Sequence, residues 1–321
     1  MAQQDPHLLT FGPVPSRRLG RSLGINNIPP KACSYSCVYC QVGRTMRRET
    51  CPRAFYSPEE IRNAVVTQVE AARRAGESID YLTFVPDGEP TLDSGLSETI
   101  DLLRPLDIKI AVISNGSLVW RDDVRAALNK ADWVSLKVDT VDETLWHHIN
   151  RPHEALSLSV VLQGMLGFAR QFNGELATET MLVAGINTGV DAVGAVATFL
   201  EQLQPRRAYL AVPTRPPAEA GVRAPSEEVV LRAYLELSAK VADVRWLVGY
   251  EGTAFAFTGD AEQDLLSITA VHPMDEAAVD EFLVKAGLDW GFVRGLQAQG
   301  KIREVEFAGK RFYVGRAVRY S

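Results

Sequence analysis

Short strand-like segments alternate with amphipathic helical segments over most of this 321-residue chain. The strand-like segments are brief and rich in β-branched and aromatic residues, which favours strands over helices. They occupy residues 23–28, 80–85, 108–114, 132–138, 176–185, 207–212 and 244–249. Such alternation predicts a parallel sheet with helices outside it, joined by right-handed crossovers. Because about six units are present, fewer than a complete barrel needs, the fold class predicted is α/β, a partial (β/α)6 TIM-like barrel open on one side.

The predicted helices lie between these strands and begin and end at recognisable residues. In the segment SPEEIRNAVVTQVEAARRAG, Ser57 is a typical N-cap, Pro58 lies in the first turn, and Glu60 stands three residues after the serine. Gly76 marks the end of this helix. Further helices are predicted over residues 93–104, 121–129, 155–172, 189–202 and 226–242. The barrel is accordingly predicted to occupy residues 1–250.

Three of the four cysteines lie in one segment, KACSYSCVYCQ, at residues 31–41. Cys33, Cys37 and Cys40 follow the first predicted strand, and Cys51 is the fourth cysteine. In parallel α/β folds, the loops after the carboxyl ends of strands carry function. The cysteine segment is therefore the first candidate for a functional loop.

The chain is predicted to be cytoplasmic and without membrane contact. Its first residues, MAQQDPHLLT, lack the basic-then-apolar pattern of a secretory signal. No apolar run approaches the ~18–20 residues that span a bilayer. In a reducing cytoplasm, clustered cysteines are more often metal ligands or catalysts than disulfide partners.

Three kinds of metal site fit this cysteine spacing. Four cysteines could hold a structural zinc ion, although zinc sites usually pair two short CxxC-type knuckles and Cys51 is a single thiol. The same four could fully ligate an electron-transfer [4Fe–4S] cluster. Alternatively, Cys33, Cys37 and Cys40 could hold three corners of a [4Fe–4S] cluster and leave one iron open to another ligand. An open position is what distinguishes a catalytic metal site from a structural one.

The segment CSYSCVYC, a CxxxCxxC spacing with an aromatic residue before the third cysteine, resembles the signature of the radical S-adenosylmethionine (radical SAM) superfamily. Gly88-Glu89-Pro90, in TFVPDGEPTLD after the second predicted strand, is similar to that superfamily's second motif. The resemblance implies a [4Fe–4S] cluster on the three clustered cysteines, whose open iron chelates the amino and carboxylate groups of S-adenosylmethionine (SAM). One electron from the reduced cluster then cleaves the sulfonium, and a 5′-deoxyadenosyl radical abstracts hydrogen from a substrate. A one-electron reductant of the flavodoxin or ferredoxin type is the implied partner.

The same resemblance assigns cofactor-binding roles to residues of the two motifs. Tyr39 would face the adenine of SAM with a rigid ring. Glu89 would accept a charge-assisted hydrogen bond from the ammonium group of SAM. Gly88 would let the backbone approach without a side chain, next to Pro90. An ordinary Asp-Gly turn is the simpler interpretation of this second motif.

Further cofactor contacts are predicted at the ends of the next two strands. Ser114 and Asn115 end the strand in AVISNGS and would lie near ribose or carboxylate groups. Lys137 and Asp139 share one face of the following strand, by its period of two. A salt bridge between this lysine and aspartate, inside the barrel, is the alternative interpretation.

A narrower resemblance runs across most of the chain. The segments FGPVPSRRLGRSLGINNIPPKACSYSCVYCQVGRT, INRPH and VPTRPPAE resemble the bacterial iron–sulfur oxidoreductases grouped with the wyosine synthases that modify tRNA. The wyosine enzymes proper use further cysteines for a second cluster, for which this chain has too few thiols. Arg17, Arg18, Arg151 and Arg215 are candidates for gripping an anionic substrate group, with ordinary ion pairing as the alternative. A tRNA base, a peptide and a small metabolite all remain as substrate classes.

Residues 251–321 are predicted to form a linker and a small α+β module. Two helical segments, DEAAVDEFLVKAG and DWGFVRGLQAQGK, precede a hairpin, IREVEFAGKRFYVG, that turns at Ala308-Gly309. This outline is typical of a winged helix, whereas residues 250–274 appear irregular. Residues 262–321 hold eight Lys or Arg against nine Asp or Glu, so the phosphate-binding charge of a nucleic-acid module is missing.

A binding protein is the competing hypothesis for the whole chain. In it, a four-cysteine zinc knuckle and the winged helix would hold nucleic acid without catalysis. Residues 1–60 carry eight Lys or Arg against four Asp or Glu, in a chain of net charge −6. This local positive charge around the cysteines favours an anionic ligand, with an ordinary solvated surface as the alternative interpretation.

Overall fold

The described part of this computed structural model covers residues 9–85, 87–247, 255 and 257–315. These residues contain an eight-stranded sheet whose strands follow chain order and a smaller three-stranded sheet. The strands of the large sheet are β1 (Thr10–Ser16), β2 (Gly20–Ile25), β3 (Tyr81–Phe84), β4 (Lys109–Ser114), β5 (Trp133–Lys137), β6 (Glu175–Met181), β7 (Arg207–Ala211) and β8 (Val244–Trp246). Strands β2 to β8 pair in parallel, and β1 pairs with β2 in antiparallel orientation.

The helices cross over between successive parallel strands. They are α1 (Pro58–Arg74), α2 (Leu96–Leu103), α3 (Asp122–Leu128), α4 (Glu143–Ile149), α5 (Leu158–Ala169), α6 (Val190–Leu203) and α7 (Glu227–Ser238). One continuous apolar core joins the helices to the outer face of the strands. Six strand–helix units and a closing strand confirm the predicted partial barrel.

Helix α1 begins as its sequence predicts. The Ser57 side chain accepts a hydrogen bond from Glu60 N at 3.2 Å, and Glu60 Oε2 accepts one from Ser57 N at 2.8 Å. This reciprocal capping box satisfies two backbone donors that a helix start would otherwise leave unpaired. Helix α4 begins at an Asp142 cap and was not predicted.

The amino-terminal hairpin departs from the prediction. Strand β1 was not predicted, and the first parallel strand spans Gly20–Ile25 rather than residues 23–28. The peptide TFGPVPS of β1 contains two prolines, which argue against a strand unless it lies at an edge. β1 is one of the two edge strands of the described sheet, and its register shifts between Phe11 and Val14. The tip of the hairpin carries Arg17 and Arg18.

The carboxyl-terminal part packs against this edge strand. It contains α8 (Ala261–Val271), β9 (Met274–Asp275), α9 (Glu276–Ala286), α10 (Trp290–Ala298), β10 (Ile302–Phe307) and β11 (Lys310–Gly315). We call residues 257–315 the carboxyl-terminal module. A second apolar core joins its helices to Phe11 and Val14 of β1. The module therefore lies on the open side of the partial barrel.

One prediction for this region is wrong, and another falls outside the described residues. Residues 250–274 were predicted to be irregular, which is wrong for residues 261–271, because Asp260 caps α8 and accepts from Gln263 N at 3.0 Å. The boundary predicted between residues 250 and 251 lies outside the described residues. Helices α9 and α10 and the β10–β11 hairpin follow the predicted order, and winged-helix character stays a prediction. No helix in the described ranges is both long and apolar enough to cross a membrane.

Candidate functional site

The cysteine segment lies after the carboxyl end of β2, where it folds back on itself and on the barrel. Glu49 N donates to Cys33 O at 3.0 Å, and Val38 N donates to Ile149 O at 2.9 Å. Gly43 N donates to Cys40 O at 3.1 Å. The segment is thus fixed by backbone hydrogen bonds at both ends and in its middle.

Each of the three clustered thiols faces a nitrogen donor. Asn115 Nδ2 lies 3.7 Å from Cys33 Sγ, and Asn150 Nδ2 lies 3.5 Å from Cys37 Sγ. Lys31 Nζ lies 3.5 Å from Cys40 Sγ. Burial, with the neighbouring cysteines, raises the pKa of Cys33, and burial raises the pKa of Cys37 to about 12. Bound iron would supply the positive charge that such buried thiolates need.

Cys51 stands in a different environment. It is exposed, whereas the three clustered cysteines are half-buried. Its electrostatic neighbour is Arg121, while Cys33 and Cys37 interact with each other and with Cys40. The thiols thus divide into a group of three and a single outlying one.

The spread of the thiols bears on the kind of metal site. Within the ranges that the structure describes, no three His, Cys, Asp or Glu side chains converge closely enough to hold one metal ion. Ligands of a single zinc ion all meet at one atom, whereas the thiolates of a cubane each bind a different iron. Three cysteine thiolates in one segment therefore fit the ligand set of a [4Fe–4S] cluster that is bound at three corners.

The second motif lies directly against the cysteine segment. Lys31 N donates to Asp87 O at 2.7 Å, and Glu89 N donates to Ala32 O at 2.9 Å. A Cβ atom on Gly88 would clash with the carbonyl oxygen of Ala32. Only glycine permits this approach, so residue 88 sets the distance between the two motifs.

Glu89 is a buried hub that joins the loops after β3 and β4. Its Oε1 accepts from Thr91 N at 3.1 Å, Thr91 Oγ1 at 2.6 Å and Ser114 Oγ at 2.7 Å. Its Oε2 accepts from Asn115 N at 2.7 Å. Burial raises the pKa of Glu89, and these hydrogen bonds oppose the rise. Pro90 begins a short 3-10 turn directly after it. The carboxylate fixes the position of Asn115, whose amide also donates to Ser34 Oγ at 2.9 Å.

Asp139 is a second buried hub, at the end of β5. It accepts hydrogen bonds from the Tyr39 hydroxyl, from Asn150 Nδ2 at 2.7 Å and from Met181 N at 2.8 Å. Burial, followed by the charge of Asp139, raises the pKa of Tyr39. The aspartate thus holds Tyr39 and Asn150, which both hydrogen-bond to the Cys37 thiol. Asn150, the residue directly after α4, was not predicted as a site residue.

Lys137 is paired with a carboxylate that sequence reasoning missed. Its Nζ donates to Glu179 Oε1 at 2.5 Å, and Arg18 donates to Oε2 of the same carboxylate. Although burial alone would raise the pKa of Glu179, Arg18 and Lys137 lower it to about 2. Lys137 and Glu179 face each other across the β5–β6 pairing, while the charge of Asp139 also acts on Lys137. Lys137 Nζ also lies 4.9 Å from the ring centroid of Tyr39.

A cleft of about 1340 Å³, a volume that includes space open to solvent, occupies the barrel interior. Its walls come from the cysteine segment, the inner faces of the strands, the β1–β2 hairpin and the start of the carboxyl-terminal module. The charged side chains lining it are Arg17, Arg18, Lys137, Arg215, Asp87 and Glu179, together with His272. Among the residues that the structure describes, four cationic side chains and two carboxyl groups line the cleft, beside Tyr39 and Cys40.

The predicted substrate arginines do not all meet. Arg17, Arg18 and Arg215 line the cleft, although they are distant in sequence. Arg151 is not among these lining residues. Its Nη1 lies 2.6 Å from Glu219 Oε1, as the alternative interpretation of ordinary ion pairing expects. Arg215 Nη1 donates to Gln41 Oε1 at 3.1 Å, and Gln41 directly follows Cys40 in the sequence.

Asp87 is a lining residue that the sequence did not single out. It is buried, and within the described part of the chain its Oδ1 has no hydrogen-bond partner. Burial raises the pKa of Asp87 to about 7, and Lys31 opposes the rise. A buried acceptor without a donor is costly, so a cationic or donor group bound in the cleft would stabilise it. Asp87 was not predicted as a site residue because the resemblance of this motif rests on Gly88-Glu89-Pro90, which follow it.

Comparisons with known proteins agree with this geometry. The family model described as the Radical SAM superfamily matches residues 27–187. The UPF0026 protein MJ1312 of Methanocaldococcus jannaschii is 46% identical over 309 residues, which cover 95% of either chain.

Two solved structures share the fold. A radical SAM methyltransferase from Sphaerobacter thermophilus superposes with a TM-score of 0.55 and 17% identity, over 71% of this chain and 67% of its own. A structure of TYW1 with a lysine–pyruvate adduct bound gives a TM-score of 0.55 and 15% identity, over 70% of this chain and 76% of its own. At these identities the likeness is one of fold. The family model and the archaeal relative place this chain in the UPF0026 family within the radical SAM superfamily, whose enzymes use a [4Fe–4S] cluster and SAM.

Proposed function

We propose that Cys33, Cys37 and Cys40 bind a [4Fe–4S] cluster that leaves one iron open, and that the cleft beside it holds SAM and an anionic substrate. The observation that carries this proposal is the division of the thiols: three are grouped in the cysteine segment, where Cys40 lines the cleft, and Cys51 is exposed beside Arg121. When bound and reduced, the cluster supplies one electron that cleaves SAM to methionine and a 5′-deoxyadenosyl radical able to abstract hydrogen from the substrate.

Residues of the second motif would hold the methionine end of SAM. Gly88 keeps the motif backbone against the cysteine segment, and Pro90 begins the turn that follows. Glu89 Oε2 accepts one hydrogen bond and has capacity for another, from an ammonium group. Asp87, whose Oδ1 lies buried at the cleft, would be a second acceptor for that ammonium group.

The remaining predicted residues would position the nucleoside and the cluster ligands. Tyr39 belongs to the cysteine segment and donates its hydroxyl to Asp139, which follows β5, so its ring is fixed for an adenine contact. Ser114 and Asn115 are held by Glu89 at the end of β4. Lys137 would act through Tyr39, since its charge lies over that ring.

The charge of the cleft supports an anionic substrate. Arg17, Arg18 and Arg215 converge there, whereas Arg151 pairs with Glu219 and is not among the described lining residues. A tRNA base, a peptide and a small metabolite each fit this description. The reductant would be a flavodoxin- or ferredoxin-type carrier in the cytoplasm, where free thiols persist.

One assay tests the proposal. The protein is reconstituted with iron and sulfide without oxygen, reduced with dithionite and mixed with SAM, and 5′-deoxyadenosine is quantified by chromatography. We expect 5′-deoxyadenosine from the unaltered protein and from Cys51→Ala, and none from Cys37→Ala. A protein that binds the cluster but yields no 5′-deoxyadenosine with any of several reductants would refute the proposal. So would a requirement for Cys51, since a fourth thiolate would close the open iron.

A further inference from the structure

A strip of surface, residues 43–49, lies against the cysteine segment. Thr45 N donates to Ser36 Oγ at 3.1 Å, and Glu49 N donates to Cys33 O at 3.0 Å. Both bonds end on the segment to which the proposed function assigns the cluster. A protein that binds on this strip would therefore come close to the cluster without entering the cleft.

The strip turns cationic and apolar side chains outward. Thr45 is buried, whereas Arg44, Met46, Arg47 and Arg48 are exposed. Met46 is 92% exposed, more than any other large apolar side chain that the structure describes. Methionine is flexible and polarisable, which suits a surface that binds a partner. Because methionine and arginine are both enriched at protein interfaces, this combination favours a docking surface.

Arg151 joins this surface from the loop after α4. Arg48 Nη1 donates to Arg151 O at 3.0 Å. Arg44 Nη2 and Arg151 Nη1 each lie 2.6 Å from an oxygen of Glu219. These contacts join three arginines with one carboxylate, and Arg47 pairs with no carboxylate within the part of the chain that the structure describes. We call Arg44, Met46, Arg47, Arg48 and Arg151 the basic patch.

The charge of the basic patch is opposite to that of most of the chain. Residues 1–60 carry a net charge of +4, while the other 261 residues carry −10. Glu49, the acidic residue of the strip, pairs with Arg53 at 3.2 Å. A positive surface on a negative chain attracts an acidic partner and orients it during its approach.

A nucleic acid and an acidic protein are the two candidate partners. Sites for single-stranded nucleic acid combine basic side chains with aromatic rings on which bases stack, and the basic patch contains no aromatic residue. Residues 262–321 hold nine acidic against eight basic residues, so they do not extend the positive surface. An acidic protein with an apolar centre is the better complement to arginines around Met46.

We propose that the basic patch is the docking surface for the one-electron carrier that reduces the cluster, and that this carrier is an acidic flavoprotein of the flavodoxin type. Carboxylates of the carrier pair with the arginines, and the Met46 sulfur contacts the aromatic edge of the flavin. Electron-transfer complexes have small interfaces, which suits a patch of five side chains. This inference rests on the proposed function, because the cluster is the electron acceptor.

The step at this surface is a one-electron exchange. The fully reduced, anionic flavin of the carrier loses one electron, and the [4Fe–4S]²⁺ cluster gains it and becomes [4Fe–4S]⁺. No bond forms or breaks, and no proton passes between the two proteins. The hydrogen bonds from the strip to Ser36 and Cys33 fix the distance that the electron travels.

Binding of a bacterial flavodoxin tests the docking surface without SAM. The reconstituted protein is titrated with flavodoxin in a calorimeter at low and at physiological ionic strength, and a ferredoxin and a tRNA are titrated in parallel. We expect saturable flavodoxin binding that weakens as salt is added, because exposed charges are screened. The rate at which reduced flavodoxin bleaches the cluster absorbance in stopped flow is the second readout.

Variants distinguish the basic patch from general surface charge. Arg47→Glu and Met46→Ala are each expected to weaken flavodoxin binding about five-fold or more, and to slow cluster reduction by flavodoxin. Arg206→Glu is the control, because Arg206 is exposed directly before β7, at the opposite end of the strands from the cysteine segment. Dithionite, which needs no docking surface, should reduce the cluster equally fast in all three variants.

The outcomes separate this inference from the proposed function. Equal flavodoxin affinity in Arg47→Glu and the unaltered protein, or an equal loss in Arg206→Glu, would overturn the inference. So would the absence of saturable flavodoxin binding, including a result in which only ferredoxin or tRNA binds. Failure to form 5′-deoxyadenosine with dithionite, while flavodoxin binding stays sensitive to Arg47→Glu, would count against the proposed function alone.

Discussion

The backbone of Gly88 lies against the carbonyl oxygen of Ala32, the residue before the first clustered cysteine. Two backbone hydrogen bonds flank this contact, from Lys31 N to Asp87 O and from Glu89 N to Ala32 O. The two motifs, about 50 residues apart in the sequence, thus behave as one rigid unit. Any side chain at residue 88 must push them apart.

Gly88→Ala should therefore damage the cluster site. We expect a loss of about 1–3 kcal/mol of stability, as for overpacking in a closed site, and less iron bound per chain after reconstitution. Thermal unfolding of the cluster-free protein and iron analysis measure the two effects. Gly167→Ala in α5 is the matched control, since a Cβ there meets nothing within 4 Å. That variant should be equally or more stable, by up to ~1 kcal/mol. Normal iron content in Gly88→Ala would contradict this account.

Glu179→Gln should destabilise the protein in a pH-dependent way. The variant leaves Lys137 and Arg18 without their shared buried carboxylate, at a cost of about 3 kcal/mol near neutral pH. Because the folded-state pKa of about 2 lies below the ordinary value of 4.5, the stabilisation by Glu179 is present above pH 4.5 and is lost as the pH falls towards 2. The difference between the variant and the unaltered protein should shrink over that range.

Urea unfolding midpoints at pH 7 and pH 3 measure this difference. Glu201→Gln, which removes an exposed pairing with Lys240 at 3.1 Å, should change stability by less than ~1 kcal/mol at either pH. A difference for Glu179→Gln that stays constant between pH 7 and pH 3 would show that the carboxylate does not have a depressed pKa.

Asp87→Asn should weaken SAM binding. If Oδ1 accepts from the ammonium group, removing its charge should reduce affinity about ten-fold, while iron content stays unchanged. Equilibrium binding of SAM to the reconstituted protein measures the effect. Asp191→Asn, at an exposed position on α6, is the control. Unchanged SAM affinity in Asp87→Asn would remove Asp87 from the proposed site.

Phe11→Ala should loosen the carboxyl-terminal module. The Phe11 ring lies over Gly24, where a Cβ would clash with it, and it belongs to the apolar core shared with Phe255 and Leu265. Truncation should cost about 3–5 kcal/mol, and hydrogen exchange in α8 should increase. Leu231→Ala on the exposed face of α7 should leave α8 exchange unchanged. Unaltered exchange in Phe11→Ala would mean that β1 does not hold the module.

Local sequence patterns predicted the parts of the fold that depend on local physics. The parallel strands and six crossover helices show as periodic apolar segments, and the α1 cap shows as Ser57 and Glu60. Strand β1 was not predicted because its prolines are tolerated only at the edge of a sheet. Whether a strand lies at an edge depends on the whole sheet. Helix α8 was not predicted because residues 261–271 show only a weak amphipathic pattern.

The site residues also divide into those that a local sequence motif predicts and those that it does not. The cysteines and Gly88 are local motifs and were visible in the sequence. Glu179 was not, because its partners Lys137 and Arg18 come from a neighbouring strand and a distant hairpin. His272 reaches the cleft only because the carboxyl-terminal module packs on β1. Such pairings between residues that are distant in sequence arise from topology, and a single sequence taken alone carries no signal for them.

The open iron is the central claim, and electron paramagnetic resonance of the Cys51→Ala variant tests it most directly. The reconstituted, reduced variant should show the signal of a [4Fe–4S]⁺ cluster with about four irons per chain, and that signal should change when SAM is added. A variant that holds no cluster, or a cluster whose signal is unchanged at saturating SAM, would contradict the account.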